Sequence, residues 1–279
     1  MKTRFALTLM ALLPILVACK AQDGTDNTAT PAAPATTEAP AASTPDTTAA
    51  SGETAAAEQA AAEAATQAPA DNAAPAPSPA NAPAPVGPAP VEGTDYLVIE
   101  NGAPFAPATG KIEVAEVFGF VCPACAAFQP LVGPWKAGLP SDVNFVYVPA
   151  MFGGTWDNYA RAFYAAQNLG VEDKTHEALY AAIHVEQTLK GERGQDSVDD
   201  IANFYAKHGV DKNKFMSEMK GFSVSGQTNK AKQFAQRSKI SGTPSIIVNG
   251  KYLVKGKSFP DILRIADHLI ARERAAKAG

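Results

Sequence analysis

The chain has 279 residues, 46% of them apolar and 8% aromatic, with 22 Pro and 3 Cys. Its net charge of −4 divides into +2 over residues 1–19, −8 over 20–92 and +2 over 93–279, so the last section lacks the basic footprint of nucleic-acid binding. Residues 20–92 hold 27 Ala, 12 Pro and 10 Thr and no Ile, Leu, Met, Phe, Trp or Tyr, which excludes a packed core there. One folded domain is therefore expected over residues 93–279, which carry all seven Tyr and both Trp.

Lys2 and Arg4 open the chain, and an apolar run follows from Phe5 to Val17. That run is short for a bilayer span and suits the core of an export signal. It ends Leu16-Val17-Ala18-Cys19, which resembles the lipobox of bacterial lipoproteins. The resemblance implies a signal peptide over 1–18, with cleavage before Cys19 and lipidation of that residue. Lys20 follows, and by the same resemblance a residue other than Asp there permits transfer to the outer membrane. An ordinary cleaved signal with an incidental Cys is the alternative. Residues 19–92 then read as the lipidated Cys and a tether, extended where Pro is frequent.

Lys111–Val121 reads KIEVAEVFGFV, a strand pattern apolar on both faces from Val114 onward, as in the middle of an α/β sheet. Period-2 alternation sets Ile112, Val114, Glu116, Phe118 and Phe120 on one face. Glu116 is then a partly buried carboxyl with no cation beside it, since Val146 is expected on the neighbouring strand. Burial without a cation raises a carboxyl's pKa. Such a group can relay a proton to a nearby buried thiol, the alternative being a carboxyl at a water-filled edge that merely tolerates its place.

Cys122-Pro123-Ala124-Cys125 follows, then Ala126, Ala127, Phe128 and Leu131. The cysteines thus sit on a strand-to-helix turn, with Pro123 suited to the first helical turn. The thiolate is the nucleophile, and a helix N-terminus lowers a thiol's pKa. Cys122 is expected to be the exposed, acidic thiol, and Cys125, one turn on, to be turned inward and to resolve a mixed disulfide. Two other readings stand beside redox catalysis. A structural disulfide closing so short a loop stabilises little. A metal site needs further ligands, and neither Cys19 nor the four His form a cluster with the pair in sequence. The expectation is no metal and no cofactor beyond the Cys122–Cys125 pair itself.

A strand is expected at Asn144–Val148. Helical patterns follow at Trp156–Leu169, Lys174–Leu189, Ser197–His208, Lys212–Lys220 and Ser225–Ser238. Gly242-Thr243-Pro244 leads into strands Ser245–Val248 and Tyr252–Val254 around Asn249-Gly250, a strong hairpin signal. A helix Asp261–Lys277 ends the domain.

Phe120-Val121-Cys122-Pro123-Ala124-Cys125 and Gly242-Thr243-Pro244 with its hairpin resemble the thioredoxin superfamily. Glu116-Val117-Phe118, Gly153-Gly154 and Leu169–Lys174 are similar to the DsbA family of bacterial periplasmic thiol:disulfide oxidoreductases within it. The resemblance covers nearly all of residues 93–279. It implies an α/β thioredoxin-like fold with a helical domain inserted over about 155–238, and a cis Pro244 facing the cysteines, where the Thr243 backbone pairs with substrate. It further implies a periplasmic enzyme that donates its disulfide to Cys pairs of exported proteins and is re-oxidised by a quinone-linked membrane oxidase of the DsbB type. A periplasmic reductase or isomerase, and a CxxC metal carrier, are the rival functions. One departure stands out: well-studied members carry His where this chain has Ala124, so a milder oxidant is expected.

Overall fold

The computed structural model describes residues 82, 84–107 and 109–278. The expected signal peptide, Cys19 and most of the expected linker lie outside the described residues. Among the described residues, one sheet is formed by β1 (Tyr96–Val98), β2 (Ile112–Phe118), β3 (Val143–Pro149), β4 (Ser245–Val248) and β5 (Tyr252–Val254). Their order is β1-β5-β4-β2-β3. β2 and β3 run parallel, which requires the crossover helix α1 (Pro123–Ala137) between them. The remaining neighbours are antiparallel.

β2 is buried along its whole length, as its two apolar faces require. Ile112 and Val114 pack with Phe128 and Val132 of α1 and with Ile265, Ala266 and Leu269 of α7 (Phe259–Ala278). Ala115 and Val117 join a larger cluster on the other side. Phe118 and Phe120, expected on the Ile112 face, belong to that larger cluster instead. Alternation gives way at this end of the strand because α3 (Glu172–His184) caps it: Phe118 lies 5.5 Å from the His176 ring and Phe120 5.1 Å from Tyr180.

The helical insertion between β3 and β4 comprises α2 (Thr155–Asn168), α3, α4 (Val198–Lys207), α5 (Lys212–Lys220) and α6 (Phe222–Arg237). Tyr159, Phe163, Leu179, Ile183, Ile201, Phe215 and Phe234 fill its core. Ser197 and Asp200 form a reciprocal cap at the start of α4, and the Asp211 side chain caps α5.

Two helix boundaries differ from expectation by more than two residues. α3 stops at His184 rather than Leu189, because the chain beyond it folds back onto a buried carboxylate. Asp196 accepts hydrogen bonds from the backbone N–H groups of Lys190 and Gly191 and from the Tyr159 hydroxyl. α6 begins at Phe222, since Gly221 both ends α5 and starts α6. The stretch 84–92, placed in the linker on composition, lies beside α7. Arg264 donates to the Pro88 carbonyl, and His268 Nε2 lies 3.3 Å from that of Val86. Among the described residues no helix is long and apolar enough to cross a membrane.

Candidate active site

β2 ends at Phe118, and Gly119–Val121 turn the chain into α1. The Cys122 N–H closes that turn on the Gly119 carbonyl at 3.1 Å. Cys122 is itself the N-cap of α1, with extended backbone (φ −76°, ψ 115°) and Pro123 in the first turn. Its Sγ accepts the Cys125 N–H at 3.2 Å, which occupies one of the free donors of the helix start. Both cysteines are free thiols in this structure.

The Thr243–Pro244 peptide is cis. Its Thr243 carbonyl oxygen lies 3.6 Å from Cys122 Sγ, across 121 residues of sequence. Cys122 was expected to be exposed. It retains only 6% of its surface, because the Thr243 loop stands over it. Cys125 is fully buried.

The two thiols are pushed in opposite directions. A hydrogen bond from the Cys125 thiol, the Thr243 side chain and the N–H groups of Cys125 and Ala124 together outweigh burial at Cys122. They lower its pKa from 9.0 to about 6. Burial first, and then the neighbouring Cys122, push the Cys125 thiol far above the ordinary range. The arrangement pairs an acidified thiol with one held protonated a helical turn away. Ala124 is exposed beside it. Ala124→His places a donor near the Cys122 sulfur and is expected to lower the thiol's pKa by about one unit. Thiolate absorbance against pH measures this, and an unchanged or higher value contradicts it.

Glu116 has no exposed surface, and among the described residues neither of its carboxyl oxygens has a hydrogen-bond partner. Burial raises its pKa from 4.5 to about 8, assisted by Cys122 and Glu177. Val146 lies on the neighbouring strand β3 as expected, where it pairs with Ala115, and the β3 residue opposite Glu116 is Tyr147. One expectation about its surroundings is corrected. A cation does act on Glu116: Lys136, near the end of α1, opposes the rise. Lys136 was missed because it comes from the crossover helix, with its Nζ 4.7 Å from the Tyr147 ring centroid.

A buried polar chain flanks this carboxyl. The Tyr147 hydroxyl donates to Gln129 Oε1 at 3.4 Å. Gln129 Nε2 lies 3.3 Å from His176 Nε2, and His176 Nδ1 lies 2.6 Å from Glu172. Gln129 could have been found in the sequence, being four residues after Cys125 on the same helical face. Nothing local singles out His176. Among the described residues, no group of three His, Cys, Asp or Glu is arranged to hold a metal ion. The structure thus brings together Cys122, Cys125, Thr243, Pro244 and Glu116 of the expected site residues, and Cys19 lies outside the described residues.

Residues 113–266 match the model of the DSBA-like thioredoxin domain family. The chain is 41% identical over 191 residues to the thiol:disulfide interchange protein DsbA of Pseudomonas syringae pv. tomato, a match that spans 67% of this chain and 86% of that protein. It is 39% identical over 187 residues to the protein of that name in Pseudomonas aeruginosa, covering 66% and 86%. Among solved structures, the oxidoreductase DsbA of Xylella fastidiosa superposes with a TM-score of 0.64 at 45% identity, covering 67% of this chain and 98% of that one. Fold and relatives together define the class, a thiol:disulfide oxidoreductase on a thioredoxin-like fold with a helical insertion. The chain belongs to the DsbA-like thioredoxin family.

Proposed function

We propose that this enzyme introduces disulfides into exported proteins in the periplasm through Cys122 and Cys125. The observation that carries the reading is the opposed pair of thiols at one helix N-terminus, with the Thr243 carbonyl 3.6 Å from Cys122 Sγ. Stabilising the Cys122 thiolate favours the reduced enzyme over its disulfide, so the disulfide form gives up its bond readily.

In the forward direction a substrate thiolate attacks Cys122 Sγ in the enzyme disulfide. The Cys122–Cys125 bond breaks, its electron pair goes to Cys125, and Glu116 supplies the proton that buried sulfur requires. The substrate's second thiolate then attacks its own sulfur in the mixed disulfide and releases Cys122 as thiolate. The substrate loses two electrons, which the enzyme keeps as a dithiol. Re-oxidation by a quinone-linked membrane oxidase of the DsbB type reverses the sequence, with Glu116 taking the Cys125 proton. Extended substrate backbone pairs beside Pro244 at Thr243. Mixing stoichiometric disulfide-form enzyme with a reduced, unfolded protein bearing a Cys pair tests the reading. It predicts transfer of one disulfide per enzyme, and no transfer contradicts it.

The N-terminal sequence supports an enzyme anchored through lipid on Cys19 to the inner or outer membrane. Cys19→Ser is expected to move the protein from the membrane to the soluble fraction with its exchange activity unchanged. Retention with membranes contradicts the anchor.

A further inference from the structure

The three residues that precede Cys122 are each held by a different part of the helical insertion. Gly119 lies under the Trp156 ring of α2, so closely that a methyl group on Gly119 would sit 2.2 Å from Trp156 Cζ3. The Phe120 carbonyl is 2.7 Å from His184 Nε2 at the end of α3. A carbonyl only accepts, so that nitrogen carries the proton. Val121 lies against Gly191, whose left-handed backbone (φ 57°) brings it close: a methyl there would meet Val121 Cγ1 at 3.8 Å and Ile183 Cγ2 at 2.6 Å.

These holds are tied to one another. Trp156 Nε1 donates to Glu192 Oε1 at 3.1 Å, which joins α2 to the 3₁₀ turn Gly191–Arg193. The Asp196 carboxylate accepts from Gly191 N–H and from the Tyr159 hydroxyl, both at 2.8 Å, which joins the same turn to α2 again. Arg193 donates to the carbonyls of Ile183 and Leu189, fixing the turn to the end of α3. The held segment ends where the Cys122 N–H bonds the Gly119 carbonyl. The position of Cys122 Sγ over the first N–H groups of α1 therefore depends on where residues 119–121 are kept.

We propose that Trp156, His184 and Gly191 form a clamp by which the helical insertion positions the Cys122 thiol, with His184 its principal positioning residue. His184 supplies the one side-chain hydrogen bond of the three holds, to the backbone of β2's exit. Without it the Phe120 carbonyl is left without that donor and the turn gains freedom. Sγ then spends less time aligned with the Cys125 N–H and the Thr243 side chain that favour its ionised form. The inference rests on Cys122 being the attacking thiol.

The test uses the full-length chain and compares His184→Ala, His184→Phe and His184→Gln. Thiolate absorbance against pH gives the Cys122 pKa, and equilibration with glutathione gives the redox balance. His184→Ala and His184→Phe, which lack the donor, are expected to raise the Cys122 pKa by about one unit and to shift the glutathione equilibrium about tenfold toward the enzyme disulfide. His184→Phe fills the ring's volume, so it carries the comparison if the Ala variant fails to fold. His184→Gln, which restores an N–H at similar reach, is expected to recover most of both changes. The other titratable groups that act on Cys122 and its neighbours, Cys125 and Glu116, are untouched. Lower thermal stability with an unchanged Cys122 titration and glutathione equilibrium would show a structural residue and overturn the clamp. Disulfide transfer by the unaltered chain is measured in parallel. Its absence would contradict the functional reading itself, whereas an unchanged titration with transfer intact contradicts the clamp alone.

Discussion

Cys122→Ser abolishes thiol–disulfide exchange, while Cys125→Ser leaves the enzyme able to attack but unable to finish. The asymmetry follows from the two pKa directions. Cys122, at about 6, is largely thiolate at neutral pH, and burial keeps Cys125 protonated. Offered a disulfide, the remaining Cys122 thiolate of the Cys125→Ser variant attacks one sulfur, displaces the other as a thiolate and stays joined in a mixed disulfide that no internal thiol resolves. They accumulate as covalent adducts on non-reducing gels, and mass spectrometry places the link. Adducts that form mainly through Cys125 in the Cys122→Ser variant would reverse these roles. The pH dependence carries a sign as well. Cys122 has its pKa depressed from 9.0 to about 6, so the reduced folded enzyme gains stability as pH rises between those values and loses it as pH falls through about 6. The rate of Cys122 alkylation rises over the same low threshold, near pH 6.

Glu116→Gln stabilises the protein and slows its chemistry. The carboxyl's pKa is raised from 4.5 in the ordinary state to about 8 in the fold. The unfolded chain releases that proton as pH passes 4.5 and the folded one holds it until about 8, so stability declines across this window as pH rises. At pH 7 the cost is on the order of 3 kcal/mol for a group with no exposed surface. Gln is an uncharged isostere and removes the pH-dependent part of it. Denaturant melts from pH 4 to pH 8 are expected to show wild-type stability falling relative to that of Glu116→Gln, the Cys122 contribution being common to both. The same substitution removes the carboxyl proposed to accept the Cys125 proton and is expected to slow that thiol's attack on a mixed disulfide by about 10²-fold. A parallel pH decline in both proteins, with an unchanged Cys125 rate and pH profile, contradicts this role for Glu116.

The legibility of this site in the sequence depended on how local each signal was. Cys122, Pro123 and Cys125 were readable because an apolar strand, a Pro at a helix start and an apolar helical face are contiguous. The hairpin at Ser245–Val248 and Tyr252–Val254 was readable from Asn249-Gly250, and Asn249 does take positive φ there. β1 was missed because three residues are too few to show alternation, and its pairing partner β5 lies some 155 residues away. The end of α3 was overrun because Asp196 diverts the chain through hydrogen bonds that the helical pattern does not encode. Lys136 and His176 reach the Glu116 region from α1 and α3, and His184 reaches Phe120 across 64 residues of sequence. Tertiary meetings of this kind leave no periodic trace.

The direction of the reaction is the central claim, and the midpoint potential of the Cys122–Cys125 pair tests it most directly. The protein is equilibrated with graded ratios of reduced and oxidised glutathione, quenched in acid and scored for free thiols. Structural disulfides of secreted proteins lie below about −300 mV, so a donor about 100 mV above them drives transfer by over three powers of ten. Stabilisation of the Cys122 thiolate predicts a midpoint above about −200 mV, and a midpoint near the −270 mV of reducing thioredoxins would contradict it and make this enzyme a reductase.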